Sequence, residues 1–194
     1  EISRVTEERV SHVVVMGTGE PFDNYENLIR FLHIITDPKG LNISQRNITV
    51  SSCGLVPEIK SLADEKFAIT FALSLHAATD RKRKALMPIA NKYSIAETLE
   101  ACRYYFDVTG RRITFEYSLV AGENDTGADA KELIALLKGF PCHVNLIPVN
   151  PIKERSFKRG NNNSITAFQK MLEKGSVNAT VRRGMGKDID AACG

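Results

Sequence analysis

The chain has 194 residues, 43% hydrophobic and 25% charged, enough apolar material for one buried core, and its formal net charge of +3 is too small to mark a strongly electrostatic binder. No run of 18 apolar residues is present, so no membrane-spanning helix is indicated, and the first residues lack a signal-peptide pattern. The cysteines at 53, 102, 142 and 193 lie 49, 40 and 51 residues apart, which fits neither a disulfide framework nor a zinc knuckle and makes a reducing cytoplasm the expected compartment.

In chain order, Val13–Met16 is a short apolar run of the kind buried on both faces of a parallel sheet. Asn24 is placed to cap a helix through Thr36, with Leu28, Leu32 and Ile35 on one stripe. A strand over Asn47–Val50, a short helix over Glu58–Asp64 and a strand over Ala68–Leu75 follow. Ser94 and Glu97 form a capping box ahead of Ile95, Leu99, Cys102 and Phe106 at helical spacing. Then come a strand Ile113–Leu119, a helix opened by Thr126 to Asp129, a strand His143–Pro148, a helix capped by Ser164 with Ile165, Phe168 and Leu172 inward, and a strand Asn178–Val181. Strands alternating with amphipathic helices at this spacing predict an α/β fold with a parallel sheet, open or rolled into a barrel, in one domain.

Most strands run into small, polar or turn-forming residues: Gly17 to Pro21, Ser51 to Gly54, Ser74 to His76, Gly122 to Asp125, and Pro148 to Pro151. In parallel α/β folds the carboxyl ends of the strands share one rim, where ligands bind. Turn chemistry accounts for the glycines and prolines; it accounts less well for Glu20 and His76. Glu20 is a carboxylate suited to an ammonium group. Ser51 and Ser74 can donate hydrogen bonds to ribose or carboxylate oxygens, the plain alternative being that they are turn residues. Cys102 and Cys142 read as core residues, and Cys53 lies in a rim cluster with nothing beside it in sequence to activate its thiol.

Charge is uneven. Residues 1–75 carry 7 Lys/Arg against 10 Asp/Glu, and the remainder 19 against 13. The runs Arg81 to Lys84 and Lys153 to Arg159, the second followed by Asn161 to Asn163, mix cations with amides and an aromatic, which suits RNA; a solvated helix face and an exposed loop are the plain alternatives. The tail, residues 182–194, carries glycines, cations and Cys193, a setting in which a thiol can become a nucleophile, although a cysteine so near a chain end is, taken alone, more often an ordinary free thiol.

Five stretches in order, Met16 to Pro21, Val50 to Gly54, Leu73 to His76, Asn145 to Pro151 and Asp188 to Gly194, resemble the radical S-adenosylmethionine RNA methyltransferases that act on adenine C2 of 23S rRNA and certain tRNAs. The resemblance implies a partial (β/α)6 TIM-like radical SAM barrel over residues 1–181, missing its first strand in this chain, and a tail over 182–194 bearing the methyl carrier. It implies that Gly19, Glu20, Ser51, Ser74, Leu75, His76 and Asn150 bind S-adenosylmethionine and that Cys193 is the catalytic methyl carrier. Cys193 accepts a methyl group from one S-adenosylmethionine; a deoxyadenosyl radical from a second activates that methyl for addition to adenine. The 4Fe–4S cluster this requires is held in the family by Cys-x3-Cys-x2-Cys, absent here. The resemblance therefore implies a C-terminal part of a longer enzyme, inactive alone, with the cluster ligands and resolving cysteine outside this chain. It implies 23S rRNA and tRNA as substrates, an electron donor such as flavodoxin, a cytoplasmic setting, no membrane and a monomer at full length. Two rivals stand beside it. One is the sister group methylating adenine C8, against which Pro21 argues; the other is a non-catalytic RNA- or cofactor-binding domain.

Overall fold

The computed structural model describes residues 2–149 and 160–182. After a short helix α1 (Ile2–Thr6), strands β1 (Val13–Val15), β2 (Ile48–Ser52), β3 (Thr70–Ser74), β4 (Ile113–Leu119), β5 (Cys142–Pro148) and β6 (Ala179–Val181) alternate with helices α2 (Tyr25–Thr36), α3 (Val56–Asp64), α4 (Asp80–Leu86), α5 (Ile95–Thr109), α6 (Gly127–Leu137) and α7 (Asn162–Lys174). Every strand pairs in parallel with the next in sequence, giving the order β1-β2-β3-β4-β5-β6. Parallel crossovers are right-handed, so a chain advancing always in one direction puts its helices on one face and curls the sheet away from them. The curl is visible at the rim. Arg182, just beyond β6, brings Nη1 within 3.4 Å of Met16 Sδ, just beyond β1, although these two strands are not paired. This is the wall of an open (β/α)6 barrel.

Strand alternation separates the two faces. Ile48, Val50, Phe71, Leu73, Ile113, Phe115, Tyr117, Val144 and Leu146 join the buried core with Leu32, Ile59, Cys102, Leu133 and Phe168 from the helices. Truncating one of the large members, Phe115→Ala for example, would cost about 3–5 kcal/mol through lost burial and the cavity left behind. The intervening residues, Thr49, Ser51, Thr70, Ser74, Thr114, Glu116, Ser118, His143, Asn145 and Thr180, belong to the opposite, inner face. A closed barrel fills its inside with branched aliphatics. Here that face is mostly polar, with Val14, Ala72 and Ile147 as its apolar members, as suits a ligand cavity.

Several expected boundaries move, for local reasons. The α5 capping box is present, Ser94 Oγ accepting from the Glu97 N–H, and Gly110 ends the helix at φ 64°. Its buried stripe is Ile95, Thr98, Ala101, Cys102 and Tyr105, with the expected Leu99 partly buried against the core and Phe106 only half-buried; Thr98 can be buried because its hydroxyl is satisfied on the Ser94 carbonyl. The cap of α7 is Asn161, whose side chain accepts from the Ser164 N–H, so Ser164 lies inside the helix. Asn24 makes no side-chain cap bond; Glu20 caps the 3-10 turn Pro21–Asn24 ahead of α2. Helix α4 carries Arg81 to Lys84, the helix alternative for that run, although without an apolar stripe the sequence set no bounds for it; the side chain of Thr79 caps it through the Lys82 N–H.

Candidate functional site

Three strand ends bring the expected residues together. Beyond β1 the chain turns through Gly17 (φ 77°) and Gly19 (φ 97°), conformations that favour glycine, and nothing lies within 4 Å of where a Cβ would stand at either. The half-buried Glu20 that follows is fixed at both oxygens: Oε1 accepts the Phe22 N–H at 3.0 Å and Oε2 the Cys53 N–H at 2.7 Å. The side chain thus joins the β1 rim to the β2 rim. A carboxylate has about four acceptor positions; these N–H groups take two, and the Cys53 thiol lies against the group as well, so any position left is open to a ligand.

Ser51 lies inside β2, and Ser74 ends β3. From sequence their hydroxyls are placed to donate to ribose or carboxylate oxygens; in the structure the accepting oxygen is the protein's own. Both donate to the carboxylate of Glu116 on β4, Ser51 Oγ at 2.7 Å and Ser74 Oγ at 3.4 Å to the same Oε2. Glu116 is 4% exposed and went unrecognised in the sequence, where it stands inside an otherwise ordinary strand. Its strand position on the inner face, in register with Ser74, was the available signal.

Leu75 and His76 contribute through backbone and ring. The N–H groups of both donate to the Glu116 carbonyl, and the Ala77 N–H returns to the Leu75 carbonyl at 2.8 Å, closing a three-residue turn centred on His76 at φ 59°. The His76 ring then accepts the Ser118 N–H at Nδ1, 3.0 Å, continuing the β3–β4 ladder with a side chain where the strand has ended. That bond assigns the ring proton to Nε2. Burial, then the nearby Arg83 cation, pushes its pKa down to about 4, so the imidazole is neutral near pH 7.

Two further residues missed in the sequence hold this rim. Arg83 is fully buried and donates to the carbonyls of Cys53 (2.7 Å), Leu75 (3.2 Å) and Ser74 (3.3 Å). Asn124, also fully buried, donates to the carbonyls of His76 and Ser118 and accepts the Val120 N–H. The basic run therefore does not form one RNA-facing patch. Arg83 is internal, and Lys82 pairs with the buried Asp129; Arg81 and Lys84 are exposed. A cleft of about 280 Å³ beside them is lined by Arg81, Lys82, Leu86, Gly122 and Glu123, a wall of mixed charge.

The thiols described here are held protonated. Burial, followed by the Glu20 carboxylate, pushes Cys53 up to about 12; burial raises Cys142 to about 11 and Cys102 further. No three His, Cys, Asp or Glu side chains come together as a metal site among the described residues. Among them, too, no helix is long and apolar enough to cross a membrane. Asn150, Cys193, the Lys153 to Arg159 run and the tail from Arg183 lie outside the described residues.

Residues 1–137 match the radical SAM superfamily. Across its whole length the chain is 62% identical to the probable dual-specificity RNA methyltransferase RlmN of Lachnospira eligens and 60% identical to that of Lachnoclostridium phytofermentans, covering 55% and 54% of them. The chain thus spans about half the length of these curated relatives. The crystal structure of a radical SAM methyltransferase from Sphaerobacter thermophilus superposes on the entire chain with a TM-score of 0.96 at 46% identity, 57% of that protein being covered. A domain of pyruvate-formate lyase-activating enzyme from Bacteroides vulgatus, 16% identical, shares the fold over 90% of this chain and all of its own, with a TM-score of 0.65.

Proposed function

The chain belongs to the radical SAM superfamily, and from that premise we propose that it forms the cofactor-holding barrel, residues 1–181, of an RNA methyltransferase acting on C2 of adenine in 23S rRNA and tRNA. The observation that carries this reading is the convergence of Glu20, Ser51, Ser74 and His76 at one end of the sheet. It is supported by similarity over the whole of this chain to about half of each of two proteins named probable dual-specificity RNA methyltransferases.

The donor and acceptor chemistry fits S-adenosylmethionine. Its ammonium and ribose hydroxyls need acceptors, and the free lone pairs of Glu20, Ser51 and Ser74 are acceptors. Gly17 and Gly19 leave open space over their backbone, and Gly19, Leu75 and Asn150 complete the contact set we assign. When bound, S-adenosylmethionine supplies the methyl group and the radical chemistry that activates it. A 4Fe–4S cluster does not fit the described residues, whose cysteines are apart and buried or half-buried.

The work of this chain is to orient and to exclude water. Glu20 is locked at two N–H groups, and the neutral His76 ring is locked by the Ser118 N–H, so neither reorganises as a ligand enters. Cys193, on the tail over 182–194, carries the methyl group as a thioether. Arg81 and Lys84 remain exposed for RNA phosphates, which they would bind without sequence preference.

The test is nucleoside mass spectrometry of RNA from cells lacking their own adenine methylation and producing the full-length protein. 2-Methyladenosine in 23S rRNA and tRNA is expected, and its loss in Cys193→Ala. 8-Methyladenosine would move the protein to the sister group, and no methylation at all would leave a binding domain.

A further inference from the structure

Glu116 is a buried carboxylate on the inner face of the sheet. It sits mid-strand on β4, 4% exposed, and takes part in no ion pair among the described residues. A buried carboxylate without a cation is expensive unless hydrogen bonds or a ligand compensate it. Nor is it needed to join strands, since β3 and β4 are already tied by their backbone ladder. Its bond to Ser51 passes over β3 altogether, and the residue in register with Ser51 there is the small Ala72.

A carboxylate has no proton to give, so the single proton of each serine hydroxyl is directed at Oε2. What Ser51 and Ser74 have left is lone pairs. We infer that Glu116 is a specificity-determining residue of the cavity: by taking both serine protons it makes the Ser51–Ser74–Glu116 group accept only, so that it admits a ligand through ammonium or hydroxyl donors and rejects anionic groups at that level. The inference rests on the reading that S-adenosylmethionine occupies this cavity. Glu116 acts through the serines and is a positioning residue.

Glu116→Gln keeps the shape and adds an amide donor, which turns at least one serine proton away from the strand. The experiment is titration calorimetry on the cluster-loaded full-length protein with three probes: S-adenosylmethionine, methylthioadenosine, which has the ribose hydroxyls without the ammonium, and methionine, which has the ammonium without the ribose. Circular dichroism checks the fold. At least tenfold weaker S-adenosylmethionine binding is expected, with the loss repeated in only one of the two partial probes. Loss with methylthioadenosine assigns the hydroxyls as the recognised donors; loss with methionine assigns the ammonium.

Ser51→Ala should weaken binding in the wild-type background and add little in Glu116→Gln, a coupling that a merely structural carboxylate would not produce. If Glu116→Gln does not fold, Glu116→Asp, which keeps the charge and shortens the reach, carries the same expectation. A folded variant that binds all three probes within twofold of wild type overturns the inference and leaves the cofactor reading standing. Wild-type protein that binds no S-adenosylmethionine overturns both.

Discussion

The guanidinium of Arg83 holds the carbonyl of Cys53 at 2.7 Å, thirty residues away in sequence, and with the same Nη2 reaches Ser74. One fully buried cation thus fastens the end of β2 to the end of β3, and the candidate cofactor residues lie on both sides of that link.

Replacing Arg83 should therefore loosen the rim. In Arg83→Met the carbonyls of Cys53 and Ser74 lose a charged donor in a buried setting, and a loss of about 2–4 kcal/mol is expected once the relief of an unpaired buried charge is set against it. Urea denaturation with an unchanged slope would report it as a shift in midpoint. Arg83→Lys, with one ammonium for three carbonyls, should recover only part. Stability within about 0.5 kcal/mol of wild type would show that the rim does not depend on this link.

Glu20→Gln should weaken S-adenosylmethionine binding by about 1.5–3 kcal/mol, the range for a hydrogen bond to a charged group. A second effect follows from the geometry. Both carboxylate oxygens accept backbone N–H groups, so the amide nitrogen of Gln must face one donor with another. A stability loss of about 1 kcal/mol, as for a lost cap, should accompany the affinity loss. Calorimetry of the cluster-loaded full-length protein separates the two. A stability loss with unchanged affinity would make Glu20 a turn residue only.

The alternation of strands and helices was legible because the inward stripes of α2 and α7 and the apolar strand runs are written at fixed spacing. The rim positions of Glu20 and His76 were legible from where the strands stop. Glu116, Arg83 and Asn124 were not. Their significance lies in partners 65, 30 and 48 residues away, which no local pattern reveals. Arg83 was misread for a physical reason, since four cations in a row look solvent-facing when the carbonyls that bury one of them come from other strands. The partner of the two serines was illegible for the same reason: a hydroxyl can donate or accept, and the carboxylate that takes their protons stands on another strand.

Acid should destabilise the fold in two windows. The folded His76 has its pKa lowered to about 4 from 6.5. Between those values the unfolded chain takes up a proton that the folded one refuses, so stability falls as pH drops from 6.5 and the loss is complete near 4. The full effect is up to about 3 kcal/mol. Asp129 is pushed up by burial, but Lys82 and Thr126 outweigh this and hold it below 3.8. Its contribution is present above 3.8 and lost as pH falls through the folded value. His76→Gln, which can still accept the Ser118 N–H, should flatten the upper window while leaving the lower one. A melting temperature that is constant between pH 6.5 and 4.5 would show that His76 titrates normally.

The cysteines give the last prediction. With its pKa raised to about 12, Cys53 is a thiolate in roughly one molecule in ten thousand at pH 8, against about one in ten for an ordinary thiol of pKa 9.0. Alkylation by iodoacetamide at pH 8 should therefore be about a thousandfold slower at Cys53 than at a free thiol, and slow also at the buried Cys102 and Cys142. The same burial makes them poor iron ligands, which must bind as thiolates and in a group. Anaerobic treatment of this 194-residue chain with iron and sulfide should produce no visible thiolate-to-iron absorbance band, while the full-length protein should produce one. Rapid alkylation of Cys53 would show that its thiol is neither buried nor held by Glu20. A stable cluster on the 194-residue chain would require Cys53, Cys102 and Cys142 to leave the positions described for them.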